Sequence, residues 1–243
     1  MKNVIITGSS RGIGRAAALR FARSGGWNIA INASRSENQL LQTEQELSSY
    51  PDTKVLHFTG DVSQEDFVRD MFAEVRKTFG PVDVLVNNAG IDYFGLLQDM
   101  STDDWDRVMD VNVRSVFLCT REAIPQMLVR HSGSIVNISS VWGTAGGACE
   151  AAYSASKGAV AAFSRAMARE LGPSGIRVNA LAFGAIDTSM NSRLSDEEKG
   201  VLCGEIALGR MGTPEEAAEM IYNTAVLSNY LTGQVITVDG GWI

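Results

Sequence analysis

Val4-Ile5-Ile6-Thr7-Gly8-Ser9-Ser10-Arg11-Gly12-Ile13-Gly14 decides how this chain is read. The first four residues are a β-branched run too short for a helix, a glycine-rich turn follows, and Arg15 to Ser24 favours a helix. Strand, glycine turn and helix in that order make a place for a phosphate. Gly8, Gly12 and Gly14 let the backbone turn tightly and come close to a pyrophosphate, whose charge meets free N–H groups and the positive end of the helix dipole. Ser10, Arg11 and Ile13 complete the predicted cofactor turn. Its spacing is Gly-x-x-x-Gly-x-Gly rather than the Gly-x-Gly-x-x-Gly of the common dinucleotide fingerprint, so the turn alone does not separate a cofactor site from an ordinary connection.

The residues after the second strand narrow the cofactor. Asn28 to Asn32 reads as that strand, and Ala33-Ser34-Arg35 follows it where a dinucleotide fold inspects the adenosine ribose. An Asp or Glu here would accept from a ribose 2′-hydroxyl and repel a 2′-phosphate. This chain has no acid there. Arg35, with Arg11, offers guanidinium groups suited to a phosphate, so NADP(H) is expected, with Ser34 beside it.

Further apolar runs recur at Val55-Leu56, Val82 to Val86, Ser134 to Ile138, Ile176 to Leu181 and Val235 to Val238. Between them, capping-box patterns mark helix starts at Ser36 with Gln39, Ser63 with Asp66, Ser101 with Asp104, Ser195 with Glu198, and Thr213 with Glu216, the last with Pro214 at the first helical position. Strands alternating with helices imply parallel strands joined by right-handed crossovers. The expected fold is α/β: a single-domain, doubly wound Rossmann fold spanning residues 1–243, with a seven-stranded parallel sheet and helices on both faces. Its ligand should lie beyond the carboxyl ends of the strands. Asp61-Val62, Asn87-Asn88-Ala89-Gly90, Ser139-Ser140 and Phe183-Gly184 fall at such ends, although each is also ordinary turn chemistry.

Tyr153-Ser154-Ala155-Ser156-Lys157 opens an alanine-rich helical stretch and sets a phenol and an ammonium four residues apart, neighbours on one helix face. A phenol with an ordinary pKa of about 10 exchanges protons poorly near neutrality, and a nearby cation favours the phenolate. The lysine is therefore expected to lower the tyrosine into a useful range. Alone, the pair also describes a plain surface contact.

Composition bounds the remaining classes. At 243 residues and 45% hydrophobic content, the chain can bury one large core, and no linker divides it. A net charge of -7 argues against nucleic acid, and two histidines, His57 and His131, are too few for an imidazole metal cluster, so no metal is expected. Cys119, Cys149 and Cys203 are odd in number and far apart, the usage of reduced thiols in a cytosol. Met1-Lys2-Asn3 leads straight into the first strand, with neither a signal-peptide core nor a membrane-spanning run, so a cytoplasmic protein without membrane attachment is expected.

Taken together, Thr7-Gly8 through Gly14, Asp61, Asn87 to Gly90, Asn112, Ser140, Tyr153, Lys157 and Asp239-Gly240-Gly241 resemble the short-chain dehydrogenase/reductase family, in particular its compact β-ketoacyl reductase-like branch. The resemblance covers nearly the whole chain. It implies that Tyr153 is the acid/base, that Ser140 holds the substrate oxygen, that Lys157 tunes the phenol and holds the nicotinamide ribose, and that Asn112 retains a water in the proton relay. It implies an adenine contact at Asp61 and Val62, a nicotinamide-ribose wall at Asn87, Asn88, Ala89 and Gly90, and carboxamide contacts at Gly184, Ile186 and Thr188. The family usually has Pro-Gly where this chain has Phe183-Gly184, which removes a rigid backbone point.

The same resemblance implies a 3-oxoacyl-acyl-carrier-protein reductase of fatty acid synthesis. A dehydrogenase of a free alcohol, sugar or hydroxysteroid is the alternative within the family, and a non-catalytic NADP(H) sensor the alternative outside it. Residues 185–210, with Met190, Leu194, Leu202, Ile206 and Leu208, fit a substrate lid. Trp142, Tyr93 and Phe94 follow strand ends and are candidates for the pocket lining. A homotetramer is implied, with helices over 101–130 and 152–171 at one interface, the second exposing Ala155, Ala159, Ala162 and Ala166, and the tail 240–243 reaching a neighbour. Acyl carrier protein is the possible protein partner, with Arg114, Arg121, Arg130 and His131 as its basic dock.

Overall fold

The computed structural model describes residues 1–243 apart from Ser228. In chain order its elements are β1 (Lys2–Ile6), α1 (Gly12–Ser24), β2 (Trp27–Ala33), α2 (Glu37–Leu47), β3 (Lys54–Thr59), α3 (Glu65–Thr78), β4 (Val84–Asn87), α4 (Thr102–Met109), α5 (Ser115–Arg130), β5 (Gly133–Ser140), α6 (Trp142–Ala145), α7 (Ala151–Leu171), β6 (Ile176–Phe183), α8 (Asp196–Glu205), α9 (Pro214–Val226) and β7 (Val235–Val238). The seven strands form one sheet in the order β3-β2-β1-β4-β5-β6-β7, every pairing parallel. β1 has β2 on one side and β4 on the other, so the strand order reverses between β1 and β4. A ligand crevice opens at the carboxyl ends of strands flanking such a reversal.

The period of two along each strand sorts the core onto two faces. Val4, Ile6, Ile29, Ile31, Val84 and Val86 pack with α1, α2 and α9 on one side. Ile5, Ala30 and Leu85 point the other way, against α3, α5 and α7. Burial on both faces explains why these strands read as continuous apolar runs rather than as alternations.

Helix starts divide by how completely their caps form. Ser195 and Thr213 make full reciprocal capping boxes with Glu198 and Glu216, with Pro214 at the first helical position. Ser101 accepts from the Asp104 N–H but spends its own hydroxyl on the Asp104 carboxylate. Ser36 caps α2 without a side-chain bond, and α3 begins after Gln64 rather than Ser63. There Asp61 reaches forward to accept from the Ser63 N–H at 2.9 Å, and the expected box does not form.

The expected helix over 101–130 is interrupted by a π-helical turn at Asp110–Arg114 between α4 and α5. The wider turn sits where Asn112 faces the carboxyl end of the sheet, a common placement for such bulges. Among the described residues, no helix is long and apolar enough to cross a membrane.

Candidate active site

A cleft of about 1480 Å³ runs along the carboxyl ends of the strands. The turn after β1 forms its floor. Gly8 has φ +64, and a Cβ there would lie 2.8 Å from the Ala89 Cα, so only glycine allows this approach. At Gly14 a Cβ would meet the Gly8 carbonyl oxygen at 2.3 Å. Gly14 thus stands behind the turn as a packing requirement, whereas Gly8, Ser10, Arg11, Gly12 and Ile13 line the cleft.

Side chains that the sequence reading gave other roles or none hold that turn in place. Thr7 Oγ1 accepts from the Asn88 and Ala89 N–H groups, both at 3.0 Å, and Asn88 Nδ2 donates to the Thr7 and Gly8 carbonyls at 2.9 and 2.8 Å. Asn32 Nδ2 ties the end of β2 to the Phe58 and Gly60 carbonyls at 3.1 and 3.0 Å. The signal available in sequence was polar side chains inside apolar strands, which need partners when buried.

Ser34, Arg35, Asp61 and Val62 line one end of the cleft together with Arg11. Arg15 and Arg20 of α1 are paired with Glu46 and Glu219, while Arg11 and Arg35 have no carboxylate partner among the described residues. Two exposed guanidinium groups and a glycine cradle with no room for side chains fit a dinucleotide that carries an extra phosphate.

The reactive groups sit past β5 and on α7. Ser139 Oγ donates to the Lys157 carbonyl at 2.9 Å, whereas Ser140 Oγ accepts from the Trp142 N–H and neighbours the Tyr153 hydroxyl. Lys157 is buried, its Nζ 5.5 Å from the Tyr153 ring centroid and donating to the Ile138 carbonyl at 2.9 Å. Gly90 has no side chain where Asn112 Oδ1 and Lys157 Nζ would each lie 3.3 Å from a Cβ.

Electrostatics here differ from the expectation that lysine lowers the phenol. Burial pushes Tyr153 up to about 12, with the Ser140 hydroxyl pulling the other way. Burial likewise pushes Lys157 down to about 8. Dehydration disfavours both charged forms, and Lys157 is not among the groups that pull the phenol down. The phenol stays protonated near neutrality, which suits a proton donor.

Asn112 has its side chain fully engaged. Its Oδ1 accepts from the Ile91 N–H at 2.8 Å, and its Nδ2 donates to the Ile91 carbonyl at 2.8 Å and to Ser156 Oγ at 2.9 Å. It braces the loop after β4 against α7 instead of lining the cleft. Asn87 does not line the cleft either. Its Nδ2 donates to Asn137 Oδ1 at 2.8 Å and to Thr120 Oγ1 at 3.3 Å, within a buried network that continues from Asn137 Nδ2 to Ser164 Oγ at 2.8 Å.

Asn88, Ala89, Gly90, Gly184, Ile186 and Thr188 do line it. The Phe183-Gly184 backbone, which lacks the family's proline, is held by other means. Val141 N–H donates to the Phe183 carbonyl and Gly184 N–H to the Val238 carbonyl, both at 3.0 Å.

Met190, Leu194 and Leu202 line the cleft, Ile206 is buried and Leu208 is exposed. Trp142 and Phe94 also line it, and Tyr93 does not. In the tail, Trp242 packs 4.9 Å from Trp142 and donates to Glu205 at 3.2 Å, while Ile243 is exposed.

A family model described as short chain dehydrogenase matches residues 2–199. The chain is 40% identical over 241 residues to the 3-oxoacyl-[acyl-carrier-protein] reductase FabG of Staphylococcus aureus, covering 99% of this chain and 97% of that protein. It is 40% identical over 244 residues to the protein of the same description from Thermotoga maritima, covering 100% and 98%. Among solved structures, a "putative gluconate dehydrogenase" from Agrobacterium tumefaciens superposes with a TM-score of 0.92 at 36% identity, over 99% of this chain and 95% of that one.

Proposed function

The chain belongs to the short-chain dehydrogenase family and is an oxidoreductase of that family, and we propose that it is an NADP(H)-dependent 3-oxoacyl-acyl-carrier-protein reductase of the cytoplasm, acting in fatty acid synthesis. The observation that carries this reading is the convergence of Ser140, Tyr153 and Lys157 beside the glycine cradle, at the strand-order reversal. When bound, the reduced nicotinamide supplies a hydride to the substrate carbonyl carbon. Tyr153 gives its hydroxyl proton to the oxygen of that carbonyl. Ser140 donates a hydrogen bond to the same oxygen, which gains charge as the carbonyl is reduced. Lys157 is the cation beside the phenol, stabilising the phenolate left when Tyr153 has lost its proton. Arg11, Ser34 and Arg35 would hold the 2′-phosphate, Asp61 and Val62 the adenine end, and Ile186 and Thr188 the carboxamide.

Residues 185–210 act as a substrate lid in this reading, supported by Met190, Leu194 and Leu202 along the cleft. The assembly is a homotetramer. Trp105 of α4, Phe117, Leu128 and Val129 of α5, and Ala155, Ala162 and Ala166 of α7 are exposed rather than packed on the chain's own sheet, which supports helix-to-helix contact between copies.

A second reading, reduction of a free small carbonyl, is favoured by the state of the expected carrier dock. Arg114 lies 3.9 Å from Asp110, Arg121 2.6 Å from Glu65, and Arg130 2.6 Å from Asp83. Arginines already paired offer an acidic carrier less attraction. NADPH oxidation measured across acetoacetyl thioesters on carrier protein and on coenzyme A, diketones, sugars and steroids separates these readings. Carrier-dependent turnover that falls with salt supports the first, and turnover of free carbonyls alone supports the second. Binding of NADPH with no consumption by any carbonyl would reduce the chain to a sensor.

A further inference from the structure

Beyond Ser140, Tyr153 and Lys157, the cleft holds another convergence of charged side chains. Arg193, in the lid ahead of α8, donates to Asp92 and, at 2.9 Å, to Glu150 Oε1. Asp92 lies in the loop after β4, and Glu150 is the residue that caps α7, three before Tyr153. The same guanidinium stands 4.7 Å from the Phe94 ring centroid. Three separate stretches of chain are thereby fastened across the cleft wall, and all three charged residues line it.

The charge at this point is unbalanced. Two carboxylates share one guanidinium, whose planar fork is occupied by both. Glu150 is the most withdrawn of the three, its side chain 12% exposed against 28% for Asp92 and 34% for Arg193. Burial raises its carboxyl and Arg193 pulls it back. The cluster is close enough to be felt at the phenol, where Glu150 and Asp92 act to raise Tyr153 and Arg193 to lower it. On the lid itself, Glu198 and Glu205 also line the cleft. Lys157 and Arg107 also line the cleft, but a substrate whose carboxylate points toward Arg193 would face this surplus, and Arg193 is already engaged on both sides. An uncharged ketoester or acyl thioester meets no such opposition.

We propose that the Asp92–Arg193–Glu150 cluster is the specificity-determining element of this cleft: it pins the lid across the mouth and admits substrates uncharged around the reacting carbonyl while rejecting those with a carboxylate there. The inference rests on the reductase reading above and narrows its substrate class.

The test is NADPH oxidation with ethyl acetoacetate and acetoacetate, which share the acetoacetyl unit and differ in charge and in the ester's ethyl group, with an acetoacetyl thioester as the reference substrate. The unaltered protein should prefer the ester by more than about tenfold in kcat/KM, a fraction of the repulsion between unit charges a few ångström apart at an effective dielectric of about 20, because the cleft is open to water. Glu150→Gln should narrow that ratio by about tenfold while ester turnover persists. Arg193→Ala should raise KM for the ester more than it lowers kcat, speed proteolytic cutting within residues 185–210, and widen the ratio. Arg193→Lys should restore part of each effect. Equal use of both substrates by the unaltered protein, or a ratio untouched by Glu150→Gln, overturns the inference and leaves the reductase reading standing. Absence of NADPH oxidation with all three substrates removes both.

Discussion

Lys157→Met should make the cofactor-free protein more stable at neutral pH while abolishing turnover. The side chain is buried, and burial lowers its pKa from 10.5 to about 8. Below pH 8 the ammonium is charged in both folded and unfolded chains, so folding must dehydrate it. Above 10.5 it is neutral in both and the cost disappears. Between these limits the unfolded chain binds more protons, so stability rises with pH. Holding the ammonium at about 8 in the fold, against 10.5 in the unfolded chain, costs about 3 kcal/mol at pH 7. Methionine keeps the length without the charge, and loses the bond from Nζ to the Ile138 carbonyl. That loss offsets about 1 kcal/mol. A net gain of about 2 kcal/mol should raise Tm by roughly 4–8 °C for a chain of this size. Urea melts of both proteins without cofactor, at pH 7 and pH 10, measure the effect. The gap should be largest at pH 7 and mostly gone by pH 10. A variant less stable at pH 7, or a gap of equal size at both pH values, would refute the reasoning.

Other expectations follow from single contacts. Tyr153→Phe should bind NADPH normally, because the glycine turn is untouched, and lose about 10²–10⁴ in turnover, the usual worth of a positioned proton donor; retention of more than a tenth of the rate would place the donor elsewhere. Because burial raises Tyr153 to about 12, reduction, which needs the protonated phenol, should not improve as pH rises, whereas alcohol oxidation, which needs the phenolate, should climb through the alkaline range; parallel pH profiles in the two directions would contradict this. Arg35→Asp should weaken NADPH binding by about 1.5–3 kcal/mol and shift preference toward NADH, as read from cofactor titrations. Gly14→Ala should unfold at lower temperature and bind NADPH poorly, because its Cβ would press on the Gly8 carbonyl oxygen at 2.3 Å.

Local chemistry made much of this protein legible in sequence. Val4 to Gly14 announces a strand, a turn and a helix because β-branching, glycine and helix-favouring residues act within a few positions of one another. β7 occupies Val235–Val238 as read, and Ser195 and Thr213 cap their helices as read, since a capping box closes over four residues. Tyr153 and Lys157 were adjacent by helical spacing alone.

What the sequence could not decide depends on groups brought together from far apart. Asn87, Asn88 and Asn112 look alike as turn or helix residues, yet one joins a buried network with Asn137, one clamps the β1 turn, and one braces Ile91 against α7. Trp242 turns back onto Trp142 one hundred positions earlier, and Arg121 and Arg130 meet the distant carboxylates of Glu65 and Asp83. The direction of the Tyr153 and Lys157 shifts was likewise invisible, because a neighbouring charge can be read from spacing, while the dehydration that sets both shifts exists only once the folded chain has buried the two groups.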